Sequence, residues 1–244
     1  RVSIVASDEV YGKSLSQAFR QNLPPEVAVA DVWRVDMRPE KRDGSVQAAI
    51  DAVANAAEPG LVLLAVPRLG GYNVHPSLLP AYRGPEPLFW VFHDGLERAG
   101  VTVHHMDAGA DTGDIAAQQS VTLPDGIGYS DAQRGLADVG GRLLVQVLAD
   151  AQAGRLTSQP QPAGPGPTAP MPTVDDFRID AGWTVRRAFN FMRGLTEWGQ
   201  PFIVETADGD VAVADVVADS AADAPTVMVA LADGRLRVRL AQPV

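Results

Sequence analysis

The chain has 244 residues, 46% of them hydrophobic and 20% charged, which supplies enough apolar material for a core and argues against disorder. A formal charge of −10 argues against a large nucleic-acid footprint, the absence of cysteine excludes disulfides and thiolate metal sites, and no apolar run approaches the ~20 residues of a membrane helix. With no leader legible, a cytoplasmic location is expected.

The elements follow in order. Val2 to Ala6 is β-branched and predicts a first strand. Ser7 or Asp8 caps a helix from about Glu9 to Leu23, and Pro24-Pro25 ends it. Val27 to Trp33 predicts a second strand, and Arg34 to Gly44 a basic loop. Val46 to Ala57 has helical spacing, and Leu61 to Val66 predicts a third strand. Strand, helix, strand, helix, strand is the opening of a doubly wound, mostly parallel α/β sheet. Pro85 to Asp94 predicts a helix, and Val101 to Met106 and Ile115 to Leu123 predict strands. Ser130 to Ala153 predicts a long amphipathic helix interrupted at Gly140-Gly141. Pro160 to Pro172 is rich in Pro, Gly and Ala, which predicts a linker between a domain of residues 1–159 and a unit of residues 173–244. Trp183 to Leu195 then predicts a helix. Pro201 to Val204, Val211 to Val217, Val227 to Ala232 and Leu236 to Leu240 predict strands, so the C-terminal unit is small and mostly β.

Gly12-Lys13-Ser14 ends like a phosphate-binding loop, but Ser7 stands where that pattern needs a glycine. No G-x-G-x-x-G follows the first strand, which weighs against a dinucleotide site. The informative stretch is Asn73-Val74-His75-Pro76-Ser77-Leu78-Leu79-Pro80-Ala81-Tyr82-Arg83-Gly84. Asn73 and His75 are two residues apart on a strand and share a face, and Pro76 ends that strand. A second stretch, Gly100 to Ile115, carries His104-His105-Met106-Asp107 and then Asp111-Thr112-Gly113-Asp114. Asn-x-His alone is a weak signal, because a lone histidine at a strand end is more often structural. Followed by Ser-Leu-Leu-Pro-x-Tyr-Arg-Gly, and later by Asp-Thr-Gly-Asp-Ile, it is specific.

These two stretches resemble the formyltransferases that take their one-carbon unit from 10-formyltetrahydrofolate. The resemblance is clear from about Leu61 to Leu123 and weaker on either side. It implies a Rossmann-like α/β fold with a small β-rich C-terminal domain. It carries the family's catalytic Asn, His and Asp onto Asn73, His75 and Asp111. It places the pterin of the folate co-substrate against Met106, Asp107, Ala108, Gly109 and Ala110 and near Ser77, Leu78, Leu79 and Pro80. Arg83 is a candidate substrate contact or a structural clamp, and His104 either matches a histidine common at that place in relatives or simply supports the strand. His105 should face the other way. No metal is implied. One departure concerns the folate pocket: relatives have a longer loop where Val66 here runs almost directly into Pro67, so either one wall is shortened or chain is missing from the sequence, and the second is favoured.

The residue types suit the chemistry. Attack of an amine on a formyl carbon develops negative charge on oxygen, which needs a positioned donor. A carboxylate beside an imidazole can orient it and move protons. The expected function is therefore N-formylation of a small-molecule amine, such as an amino sugar or a hydroxyornithine-like precursor. The alternatives are a methionyl-tRNA formyltransferase, a 10-formyltetrahydrofolate hydrolase and a non-catalytic folate-binding module. The acidic balance and the short C-terminal unit disfavour tRNA as a partner. No membrane partner is expected, and a homodimer is compatible with the sequence.

Overall fold

The computed structural model describes residues 2–7, 14, 17–18, 20–23, 25, 29–35, 71–107, 109–162, 164, 166–217 and 226–241. The predicted helix at Val46 to Ala57, the strand at Leu61 to Val66, the Val66-Pro67 junction, Gly12-Lys13 and Ala108 lie outside them. The fold is α/β with a mostly β C-terminal part. Its contacts divide it into two units: residues 1–81, 100–120 and 133–166, and residues 82–99, 121–132 and 167–244.

In the first unit, β1 (Val2–Ser7) and β2 (Val29–Val35) pair in parallel, with Ile4 opposite Val32. Between them, residues 14, 17–18 and 20–22 are helical, and Ala18 is buried. β3 (Tyr72–His75) lies against β4 (Arg98–His105), and β5 (Ile115–Thr122) completes this sheet in the order β3-β4-β5. The β3–β4 pairing is antiparallel, so the described pairing is mixed. β4 is the middle strand. Val101, Thr102 and Val103 are fully buried, as the centre of a strand paired on both sides and covered on both faces.

The helix after β5, α2, is continuous from Tyr129 to Gln152 and is not broken at Gly140-Gly141. Neither glycine adopts a positive φ. Each costs only about 1 kcal/mol relative to alanine, and burial of Leu136, Ala137, Val139 and Val147 along one stripe holds the helix together.

The second unit contains α1 (Pro87–His93), α3 (Val185–Leu195) and a five-stranded sheet. That sheet is β6 (Arg178–Ile179), β7 (Phe202–Thr206), β8 (Gly209–Val216), β9 (Thr226–Leu231) and β10 (Gly234–Leu240), ordered β6-β7-β8-β10-β9. α3 starts two residues later than the sequence predicts, because Thr184 is extended and its hydroxyl accepts from the Arg187 amide at 3.2 Å. Its buried residues, Ala188, Phe191, Met192 and Leu195, recur at helical spacing.

Phe89 is the hub of this unit's core. Its ring lies 5.3 Å from Phe177, 5.4 Å from Trp198 and 6.0 Å from Phe191, all tilted or edge-on. Phe89→Ala is expected to destabilise the fold by about 3–5 kcal/mol, read as a lowered midpoint in urea unfolding.

The predicted linker is held by hydrogen bonds at several points. Just before it, in the first unit, Gln159 exchanges two backbone bonds with Ile115, at 2.8 and 2.9 Å. In the second, Thr168 bridges Arg83, the Ala169 amide donates to the Arg83 carbonyl at 2.8 Å, and Trp90 Nε1 donates to Pro170 O at 2.8 Å. Proline forbids a helix here but leaves carbonyls free to accept, so extended pairing is what remains.

Candidate active site

Strand alternation and register together build the site. Asn73 and His75 share one face of β3, and antiparallel pairing sets Asn73 opposite His104 and His75 opposite Thr102. Directly opposite residues point to the same side, so two strands present four polar side chains on one face. His105 falls on the other face, as predicted. Its ring packs 4.8 Å from Tyr72, and its Nε2 lies 2.7 Å from Ser158 Oγ.

The loop after β4 brings Asp111 to this face. Asn73 Nδ2 donates to Asp111 Oδ1 at 3.3 Å, and the same oxygen lies 3.6 Å from both His75 Nδ1 and His104 Nε2. His75 and His104 are 4% and 3% exposed, and their rings stand nearly perpendicular with centroids 6.4 Å apart. A half-buried carboxylate thus has three nitrogens around one oxygen. Among the described residues no group of three or more His, Asp or Glu side chains is arranged to hold a metal ion.

Asp111 has φ +56°, in the left-handed region that aspartate tolerates better than most residues. The loop is held around it from several sides. Gln161 Nε2 donates to the carbonyls of Asp111 and Gly113, both at 2.8 Å. Asp107 Oδ1 accepts from Thr112 Oγ1 at 2.7 Å and from the Gly109 amide at 3.0 Å. The Thr112 hydroxyl bond is the main reason the Asp107 carboxyl titrates below the ordinary carboxylate range. Gly113 is needed because a Cβ there would overlap the His105 carbonyl oxygen, which is backbone and cannot yield. Gly113→Ala is expected to loosen the loop, read as faster hydrogen exchange at the His105 amide, which donates to Asp114 O at 2.9 Å.

The turn after β3 is fixed just as firmly. Thr102 Oγ1 donates to Ser77 O at 2.7 Å and accepts from the Leu79 amide at 3.2 Å and from Gln118 Nε2 at 2.8 Å. Ser77 Oγ donates to Ala81 O at 2.7 Å, and Gln118 Nε2 also donates to Leu79 O at 3.0 Å. The Leu79-Pro80 peptide is cis. The buried hydroxyls of Thr102 and Ser77 therefore serve the backbone that follows His75.

A cleft of about 150 Å³ opens beside these groups, lined by Asn73, His104, Met106, Asp107, Gly109, Ala110 and Asp111. Of the predicted folate contacts, Met106, Asp107, Gly109 and Ala110 stand on it. Ser77 to Pro80 do not line it, nor does His75, which meets it through Asp111. Met106 is 66% exposed, an apolar surface beside a polar focus. This volume is below the roughly 300 Å³ at which pockets for drug-sized ligands begin. Arg83 belongs to the second unit. There the adjoining Gly84, at φ +125°, leaves no room for a Cβ against the Ala169 carbonyl. His104 is the residue that sequence reasoning undervalued. Only its register opposite Asn73 brings it into the cluster.

The model of the family described as "Formyl transferase" matches residues 11–148, more than half of the chain. A curated relative, the methionyl-tRNA formyltransferase of Pelotomaculum thermopropionicum, is 38% identical over 136 residues, covering 56% of this chain and 43% of its own. The chain spans about half the length of the curated relatives it matches. Among solved structures, the N-formyltransferase from Helicobacter canadensis, in complex with folinic acid and dTDP-3-aminofucose, has a TM-score of 0.62 at 12% identity over 98% of both chains. The methionyl-tRNA formyltransferase from Clostridium thermocellum has a TM-score of 0.57 at 14% identity over 90% of this chain and 94% of its own. Both likenesses are of fold.

Proposed function

Because the chain belongs to the formyl transferase family, we propose that it moves a formyl group from 10-formyltetrahydrofolate to an amine of a small molecule, such as an amino sugar or a hydroxyornithine-like acceptor. The supporting observation is the gathering of Asn73, His75 and His104 around one oxygen of Asp111 at the wall of a cleft. Folate enters as co-substrate and supplies the activated one-carbon unit. The amine nitrogen bonds to the formyl carbon, and the bond from that carbon to folate N10 breaks. The amine gives up one proton and N10 gains one. In this reading the Asn73 amide donates to the oxygen on which negative charge develops. Asp111 accepts the amine proton, and His75 holds that carboxylate charged until it does. Met106, Asp107, Gly109 and Ala110 stand where the one-carbon end of the folate would lie. The overall negative charge supports a small acceptor over a polyanion.

A second reading, with methionyl-tRNA as acceptor, is favoured by the names of the curated relatives. It is also favoured by Arg235, Arg237 and Arg239, which are exposed at alternate positions of β10.

The test is incubation with 10-formyltetrahydrofolate and a panel of amino sugars, hydroxylamines and methionyl-tRNA, read by mass for the gain of one formyl group. Formylation of a small amine is expected. Formylation of methionyl-tRNA alone would establish the second reading. Formate release with no acceptor would overturn both and point to a hydrolase.

A further inference from the structure

We infer that His104 is a positioning residue for this reaction, setting which way round the Asn73 carboxamide sits. The inference rests on the reading of Asn73 just given. His104 Nδ1 lies 2.8 Å from the carbonyl oxygen of His105, and a carbonyl can only accept. Nδ1 therefore carries the proton. In the neutral ring Nε2 is then a bare acceptor, and it faces Asn73 Nδ2 at 3.1 Å.

The Asn73 amide thus has two acceptors before it, His104 Nε2 and Asp111 Oδ1 at 3.3 Å. Rotating the amide by half a turn would set its carbonyl oxygen against a carboxylate oxygen and an imidazole lone pair, which is repulsive on both counts. The orientation is therefore determined, with Nδ2 inward. Of the two bonds the one to Asp111 is longer, and it is also the one the reaction disturbs. Once Asp111 has taken the amine proton, its oxygen no longer draws the amide as a carboxylate does. At that moment His104 is the acceptor among the described residues that keeps a donor, and not a carbonyl oxygen, directed at the charged oxygen of the tetrahedral adduct. With 3% of its surface exposed, His104 has little freedom to turn away. The buried Thr102, Val103 and Val101 that precede it on β4 hold its backbone in register.

The test separates this role from simple packing. His104→Leu keeps bulk and removes the acceptor, whereas His104→Gln places an amide oxygen near the position of Nε2. His104→Leu is expected to lower kcat about tenfold, the worth of one hydrogen bond, with KM for 10-formyltetrahydrofolate unchanged. His104→Gln is expected to recover most of that loss. Equal turnover in the wild type and His104→Leu, or a Gln variant no better than Leu, would overturn the inference. The nitrogen-15 shifts of the His104 ring provide a measurement that needs neither activity nor a variant. They are expected to report a protonated Nδ1 and a bare Nε2, and the opposite tautomer would refute the assignment. A wild-type chain that formylates no acceptor would instead count against the proposed function, leaving the ring measurement to test the hydrogen-bond geometry.

Discussion

Asp111→Asn is expected to lower kcat by about a thousandfold, within the 10²–10⁴-fold range of general acid–base catalysis. The substitution is nearly isosteric. Asparagine tolerates φ near +56° at least as well as aspartate, so the loop has no steric reason to move. An amide oxygen at the same place still accepts from Asn73 Nδ2. What disappears is the negative charge and the capacity to take the amine proton. The loss should therefore appear in kcat, with KM for 10-formyltetrahydrofolate within about threefold of the wild type. Steady-state kinetics with saturating acceptor measures both. Turnover within tenfold of the wild type would remove Asp111 from the chemistry, whatever its place in the cluster.

His75→Ala is expected to cost a similar factor, and the comparison with His75→Gln says why. His75 is 4% exposed, and its Nδ1 lies 3.6 Å from Asp111 Oδ1, beyond hydrogen-bond range but within that of an ion pair. If an imidazolium is what keeps Asp111 charged, neither glutamine nor alanine can replace it, and both variants should fall by two to three orders of magnitude. If His75 acts only by donating a hydrogen bond, glutamine should retain much of the rate. The first outcome is expected, because the described cleft reaches His75 only through Asp111. Because alanine also leaves a cavity at a buried position, a thermal midpoint accompanies the kinetics. A rate loss no larger in either variant than fits a fall in folded fraction would argue for a structural histidine.

These expectations presuppose a rigid frame, and two sets of contacts supply it. On one side the Thr102 hydroxyl and Gln118 hold the turn at Ser77 to Leu79. On the other, Gln161 and Asp107 hold the loop of residues 107–113. Most of these are neutral bonds between backbone carbonyls or amides and buried or half-buried side chains. Their combined effect is to confine Asp111 to one conformation at the cost of a positive φ. That is the form of preorganisation a charge-transfer step requires.

Much of this was legible before any coordinates. The resemblance of their two stretches to the formyltransferases singled out Asn73, His75 and Asp111, and alternation along a strand was enough to pair the first two and to send His105 to the opposite face. Strand and helix identities held for every predicted element among the described residues, with ends shifted by a few residues. Gly140-Gly141 misled, because glycine weakens a helix without breaking it when the flanking stripe is buried. The linker reading missed the hydrogen bonds, because composition reports what proline prevents and not which carbonyls find donors.

What the chain order determined by itself was local: which side chains share a face and where Pro76 stops a strand. What only the tertiary structure decided was the company those side chains keep. The antiparallel register of β3 on β4 set His104 against Asn73, and the return of the segment at Gln161 fixed the loop that carries Asp111. Register and return contacts join residues far apart in the chain. They are settled by hydrogen-bond pairing and burial summed over the whole fold, a sum that no local stretch of residues contains.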